Sequence, residues 1–209
     1  MTMMREGTAL EMPPVERLEP IHTKGLQRVF GFLRVAMGFT FLWAFIDKAF
    51  ALGFSTGRVV DEVTGASSID FFGDAAWING GSPTAGVLGF AMKGPFVDFY
   101  QSITGFQMTD LGPTSAAWVD WVYMLSMLGI GLALILGIGV RAAAVGGIIW
   151  MAIFYTATAI WPEHNPVLDD HVIGAAVLVG LFLANAGRYY GLGKVWQGLD
   201  FVKERRYLY

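Results

Sequence analysis

The chain has 209 residues, of which 55% are hydrophobic and 15% charged, with a mean hydropathy of +0.52. It carries 14 Lys+Arg, 17 Asp+Glu and 0 Cys, for a net charge of −3. An ordinary soluble domain is roughly 25% charged, so this composition excludes a disordered chain, speaks against a soluble enzyme and leaves no basic footprint for nucleic acid; without cysteine there is no disulfide, no Cys-ligated zinc or iron–sulfur cluster and no covalent c-type haem.

Residues 1–25 form a polar arm with Pro13-Pro14 and alternating charges. No apolar core precedes residue 25, so a cleavable signal is not expected, and the first apolar helix would serve as an uncleaved anchor. A spanning helix needs ~20 mostly apolar residues. Four stretches qualify: residues 29–54, interrupted by Arg34, Asp47 and Lys48; residues 121–140; residues 142–161; and residues 171–187, the shortest. The expected fold is all-α and integral to the membrane: a four-transmembrane-helix bundle. The connection over residues 55–120 carries an aromatic turn at 77–84. It then has apolar residues over 85–103, interrupted by Lys93-Gly94-Pro95. That pattern predicts two short amphipathic helices in the outer interface, broken at Gly94-Pro95, rather than a fifth span. Residues 197–209 read as a basic tail.

Basic residues set the expected orientation. Arg5, Arg17, Lys24, Arg28, Arg141, Arg188, Lys194, Lys203, Arg205 and Arg206 fall on one side of the four spans, and only Arg58 and Lys93 on the other. The first side would be cytoplasmic, with both termini, in a multi-pass protein of the bacterial cell membrane. Small residues offer close helix approach: Gly31 and Gly38 on the first helix, Gly129 and Gly137 on the second, Ala143 and Gly147 on the third, and Ala176, Gly180 and Ala184 on the fourth.

Ionisable groups within apolar helices are costly and call for an explanation. Arg34 and Lys48 lie fourteen residues apart, which returns to nearly the same helix face. In one reading Arg34 orients an anionic or carbonyl ligand while Asp47 and Lys48 line a site at the outer helix ends. In the other, Arg34 and Lys48 snorkel to opposite interfaces. The connection over 161–171 holds His164, Asp169, Asp170 and His171 beside Trp161. Histidine titrates near neutral pH, so His171 with Asp169 or Asp170 could move a proton. One of those aspartates also has a bland duty as the N-cap of the fourth helix. The spacing matches no common zinc motif, and no metal site is assigned. The candidate catalytic set is therefore His171, Asp170, Asp169 and Arg34. The candidate substrate- or quinone-binding set is Lys48, Asp47, Trp43, Trp121, Trp161 and His164.

These residues carry a resemblance. The stretch RVAMGFTFLW over 34–43 is followed by Asp47-Lys48, and WINGGSPT over 77–84 by Lys93-Gly94-Pro95. Then come GIGLALILG over 129–137 with Arg141, Asn165-Pro166 with Asp169-Asp170-His171, and Gly191-Leu192-Gly193. In that order the chain resembles the DoxX/DoxD family of bacterial four-helix membrane proteins over about residues 26–196. The resemblance implies a membrane bundle. In the DoxD branch it implies the large subunit of a thiosulfate:quinone oxidoreductase, which oxidises thiosulfate to tetrathionate and reduces a diffusible quinone beside a DoxA subunit. Other DoxX members imply a non-catalytic scaffold or accessory subunit of a redox or oxidative-stress complex. Expected partners are thus the lipid bilayer, a DoxA-like or other redox subunit, and a second copy of the chain.

Overall fold

A computed structural model describes residues 23–61, 63–110, 112–162, 166–205 and 208. The arm over 1–22 and His164 lie outside the described residues. Four main helices carry the fold: α1 Lys24–Phe50 and, after the long connection, α3 Ala117–Leu136, α4 Val140–Phe154 and α5 Asp170–Leu183. A π-helical turn, Tyr155–Ala159, continues α4. Three of these are long and apolar enough to cross a membrane: α1, α3 and α4 with its π turn.

Apolar and small residues at helical spacing decide which faces meet. On α1, Gly31, Arg34, Gly38 and Phe41 are buried, an i, i+3, i+7, i+10 stripe. On α3 the stripe is Tyr123, Met127, Ile130 and Leu134. Gly38 sits where a Cβ would fall 2.9 Å from the Ile135 nitrogen, and a Cβ on Gly131 would fall 2.7 Å from the Leu42 nitrogen. The two glycines therefore set an antiparallel approach of backbone to backbone between α1 and α3. Gly147 on α4 instead makes room for a side chain: Leu178 of α5 occupies the space its own would need. Gly129 and Ala176, read from sequence as approach points, face no helix this closely: Gly129 has open space beyond it and Ala176 is exposed.

Outward-facing apolar side chains ring the bundle, among them Phe32, Phe39, Leu125, Ile149 and Ile173, all more than half exposed. Apolar side chains exposed on all four main helices are what hydrocarbon, rather than water, would cover.

Helix ends differ from the sequence expectation by several residues. α1 stops at Phe50 rather than 54 because Ala51 turns left-handed (φ 52). α3 runs over 117–136, not 121–140, because Gly137 ends it in the left-handed conformation glycine favours (φ 79). α5 has 14 residues, not 17, and its chain reverses at Asn185 (φ 48). At 1.5 Å per residue it covers about 21 Å, less than the ~30 Å of a hydrocarbon core. It runs antiparallel to α4, since Phe182 lies under the Arg141 guanidinium and His171 beside Phe154.

The connection between α1 and α3 departs from an all-α fold. It contains two small antiparallel hairpins, β1 Arg58–Val60 with β2 Ser67–Ile69, and β3 Gln107–Thr109 with β4 Gly112–Thr114. The first is closed by Asp61, whose carboxylate accepts from the backbone N–H of Val63 and Thr64. That Asx-type turn supplies locally what a helix would have supplied. Between the hairpins lie a π-helical turn, Val87–Ala91, and α2 Val97–Thr104, separated by Lys93-Gly94-Pro95. After α5 the chain forms α6 Gly193–Gly198 and α7 Asp200–Lys203 rather than a plain basic tail, and Lys203 pairs with Asp200 at 2.8 Å.

Candidate functional site

The C-terminus of α1, the N-termini of α3 and α5 and the C-terminus of α4 converge at one end of the bundle. A cavity of about 130 Å³ lies there, covered by residues 83–104. Its walls are mainly apolar and aromatic, with Tyr100, Tyr123, Trp150 and Phe154 among them, and Lys48 and Thr84 at its polar edge.

Among the described residues, Lys48 is the one charged side chain in this lining. Its Nζ donates to Ser55 Oγ at 2.7 Å and lies 5.8 Å from the centre of the Tyr123 ring, within cation–π reach. Asp47, one residue round the helix, turns away from the cavity. Its carboxylate accepts from the backbone N–H of Phe54 (3.0 Å) and Ser55 (2.9 Å) and from the Ser55 hydroxyl. Ser55 thus links the pair, donating to Asp47 while accepting from Lys48. With its neighbour's carboxylate satisfied by the loop, Lys48 is left to face the cavity.

The cover is fastened by Asp120, in the first turn of α3 and only 6% exposed. It accepts from Ser82 Oγ (2.8 Å), Thr84 N (3.0 Å), Thr84 Oγ1 (2.7 Å) and Ser115 Oγ (3.2 Å). Further along, Lys93 N donates to Ala157 O at 2.9 Å, and Tyr100 shares a 2.7 Å hydrogen bond with Thr156. The segment over 82–100 is therefore tied to α3 at one end and to the π turn of α4 at the other.

Asp169 and His171 stand behind the Phe154 wall. The His171 ring lies 5.7 Å from that of Phe154, centre to centre. Asp169 is the N-cap of α5: its Oδ1 accepts from Val172 N at 3.0 Å, and its Oδ2 meets His171 Nδ1 at 2.5 Å. Burial opposes ionisation of Asp169, but the hydrogen bonds from His171 and Val172 outweigh it and hold the carboxyl below the usual aspartate value.

The remaining candidates are not brought to the cavity. Asp170 is exposed. Trp161 is 76% exposed, and Trp121 is 55% exposed and packs edge-on against Trp77. Trp43 packs with Phe39 and Phe54. Arg34 is buried at the opposite end of α1, about 21 Å from Lys48 along the axis. There its Nη2 donates to Tyr190 O, and a Cβ on Gly137 would collide with its Nη1. Asp120, Tyr100, Tyr123 and Trp150 were not read as site residues from sequence. The signals were present for two of them: an acidic residue in the first turn of an otherwise apolar helix, and Tyr123 three residues later on the same face. Among the described residues no group of three His, Cys, Asp or Glu is placed to hold a metal ion.

Fold and site define a mostly helical protein of membrane-embedded type, with three helices able to cross a bilayer. No family model, curated protein or solved structure matches the chain.

Proposed function

We propose that the chain is the quinone-reactive subunit of a membrane oxidoreductase of the DoxD kind, with its site beneath residues 83–104. The observation that carries this is the cavity itself: an aromatic, apolar chamber at the end of spanning helices, with one cation at its edge. A dry cavity of ~150 Å³ is known to accept benzene, so 130 Å³ suits a single six-membered ring. Lys48 Nζ would exchange its bond to Ser55 for one to a quinone carbonyl, and its charge would favour the reduced, more anionic oxygen. Tyr100, Tyr123 and Trp150 would hold the ring.

Reduction of a quinone to a quinol takes two electrons and two protons. The electrons would come from thiosulfate, two of which join to give tetrathionate, or from a redox centre on a DoxA-like partner. The quinone is a diffusible substrate. His171 with Asp169, across the Phe154 ring, is the titratable pair that would feed protons. In this reading Arg34 and Asp170 have no catalytic part, since one lies at the other end of the bundle and the other points to solvent. The Lys48 end faces outward in a four-span arrangement, with both termini in the cytoplasm.

The test is thiosulfate-dependent reduction of a short-chain quinone by membranes containing the protein. Lys48→Met is expected to lower the rate at least tenfold and His171→Ala several-fold, with Lys203→Gln as the unaffected control. Equal rates in all of these would overturn the proposal. A second reading, a scaffold for other redox subunits, is favoured by exposed apolar residues on α6 and α7, Val195 at 69% and Phe201 at 46%. Stoichiometric recovery of a partner that is lost on a Val195→Glu, Phe201→Glu double substitution, with no quinone turnover, would select it.

A further inference from the structure

At the Arg34 end a groove of about 440 Å³ opens between Gln27 of α1 and the loop after α5, lined by Arg188, Tyr190, Gly191 and Lys194. Among the described residues, both charged ones in its lining are positive. Arg188 and Lys194 are exposed, and among the described residues no acid pairs with either. A third positive charge stands behind the wall. Arg34 is 1% exposed, its Nη2 donates to Tyr190 O, and its Nε and Nη1 have no hydrogen-bond partner among the described residues. The loop is held in shape by Leu192 N donating to Leu136 O at 2.9 Å and by Gln197 bonded to Asn185. Tyr190 in the lining is 59% exposed, and Leu192 and Val195, which flank the lining residues Gly191 and Lys194 along the chain, are 49% and 69% exposed.

Positive charge focused in a cleft attracts an anion. Exposed apolar side chains next to that charge along the chain, on a protein with membrane-crossing helices, fit a lipid better than a free ion. Basic pockets at the ends of membrane helices are suited to phosphate-bearing head groups. We infer that this groove binds the phosphate of an anionic lipid, with Arg188 and Lys194 on the phosphate and Tyr190, Leu192 and Val195 along the first part of the acyl chains. The inference stands independently of the quinone reading.

The experiment uses the full-length protein in a neutral detergent. Phosphatidylglycerol in mixed micelles, or inorganic phosphate alone, is added, and bound lipid is read by native mass spectrometry and thermal unfolding. Phosphatidylglycerol is expected to be retained and to raise the unfolding temperature. An Arg188→Gln, Lys194→Gln double variant is expected to bind it about thirtyfold more weakly, at ~1 kcal/mol per basic residue. An Arg58→Gln, Lys203→Gln variant, with the same loss of net charge, should bind as the parent does. Stabilisation by inorganic phosphate equal to that by the lipid, lost in the same double variant, would keep the phosphate site and overturn the lipid assignment. Unchanged lipid binding in the double variant, or an equal loss in the control pair, would overturn the inference.

Discussion

At the Lys48 end of the bundle, Asp47 and Asp120 are buried and each collects three or more hydrogen bonds from the connection that follows α1. At the other end, Arg34 is buried as deeply but among the described residues meets a single acceptor, Tyr190 O. A carboxylate can be satisfied by any backbone N–H or hydroxyl that a loop supplies, and the loop over 54–84 is long enough to supply them. A guanidinium needs acceptors, and Arg34 lies where α3 ends at Leu136, Gly137 and Gly191. There the negative end of a helix dipole favours a cation without a full set of bonds. One end is thus closed by specific hydrogen bonds around a cavity, the other by a buried charge beside an open groove.

The largest way to break this contrast is Asp120→Ala. It strands Thr84 N and leaves the Ser82, Thr84 and Ser115 hydroxyls only their bonds to one another, and should cost about 3 kcal/mol of stability while freeing the cover over the cavity. Thermal unfolding gives the first quantity, and proteolysis or hydrogen exchange confined to residues 82–104 gives the second. Stability equal to the parent would mean that the clamp is not what holds the cover.

Arg34→Ala should cost about 2–3 kcal/mol by leaving a cavity against Gly137 and an unpaired Tyr190 carbonyl. Arg34→Met, which refills the volume without the charge, should recover at least about 1 kcal/mol of that loss, because a lone buried guanidinium is itself expensive. If Met is no better than Ala, the charge is the useful part of Arg34. That outcome would sharpen the difference between the two ends.

A smaller effect tests the α5 cap. Asp169 ionises more readily in the folded protein than in the unfolded chain. Its contribution is therefore complete above the ordinary aspartate value of about 3.9 and is lost as pH falls through the lower, folded value. Asp169→Asn keeps a capping side chain but not the charge facing His171. It should be less stable than the parent by about 1 kcal/mol at neutral pH. The two unfolding temperatures should converge as the solution becomes strongly acidic. A gap independent of pH would assign the effect to capping geometry alone. The smallest stability change belongs to Lys48→Met, within about 1 kcal/mol, because the stem stays packed while the hydrogen bond to Ser55 and the cation–π contact with Tyr123 are lost together with the cost of keeping a charge buried. Its effect should appear in quinone turnover instead.

Much of the scaffold is readable along the chain. The apolar runs of α1, α3 and α4 declare themselves by length; the stop at Gly137 does not, because the apolar run continues through it to residue 140. Asp169 and Asp170 were equal candidates for the cap of α5. Only the backbone geometry, with Asp169 extended and its side chain on Val172 N, selects between them. The face shared by Arg34 and Lys48 follows from helical periodicity, and both are indeed buried. Arg34 does not stand near His171, because periodicity gives a direction around the axis and says nothing of which other helix end stands at that height. The hairpins in the connection were missed because three-residue strands carry too little alternation to register, although Asp61 and Gly65 mark the first turn.

The sequence by itself determined that this chain is built from long apolar helices, where most of them run and which few charges lie inside them. Those properties depend on residues close together along the chain, and hydropathy and periodicity record them. The tertiary structure decided that Asp120 would reach back 36 residues to Thr84 and close a chamber over Lys48. It also decided that Arg34 would stand at the far end beside Gly137 and Tyr190. Such pairings depend on which helix ends are brought to the same level, and that is settled by packing at Gly38, Gly131 and Gly147 rather than by local chain preference.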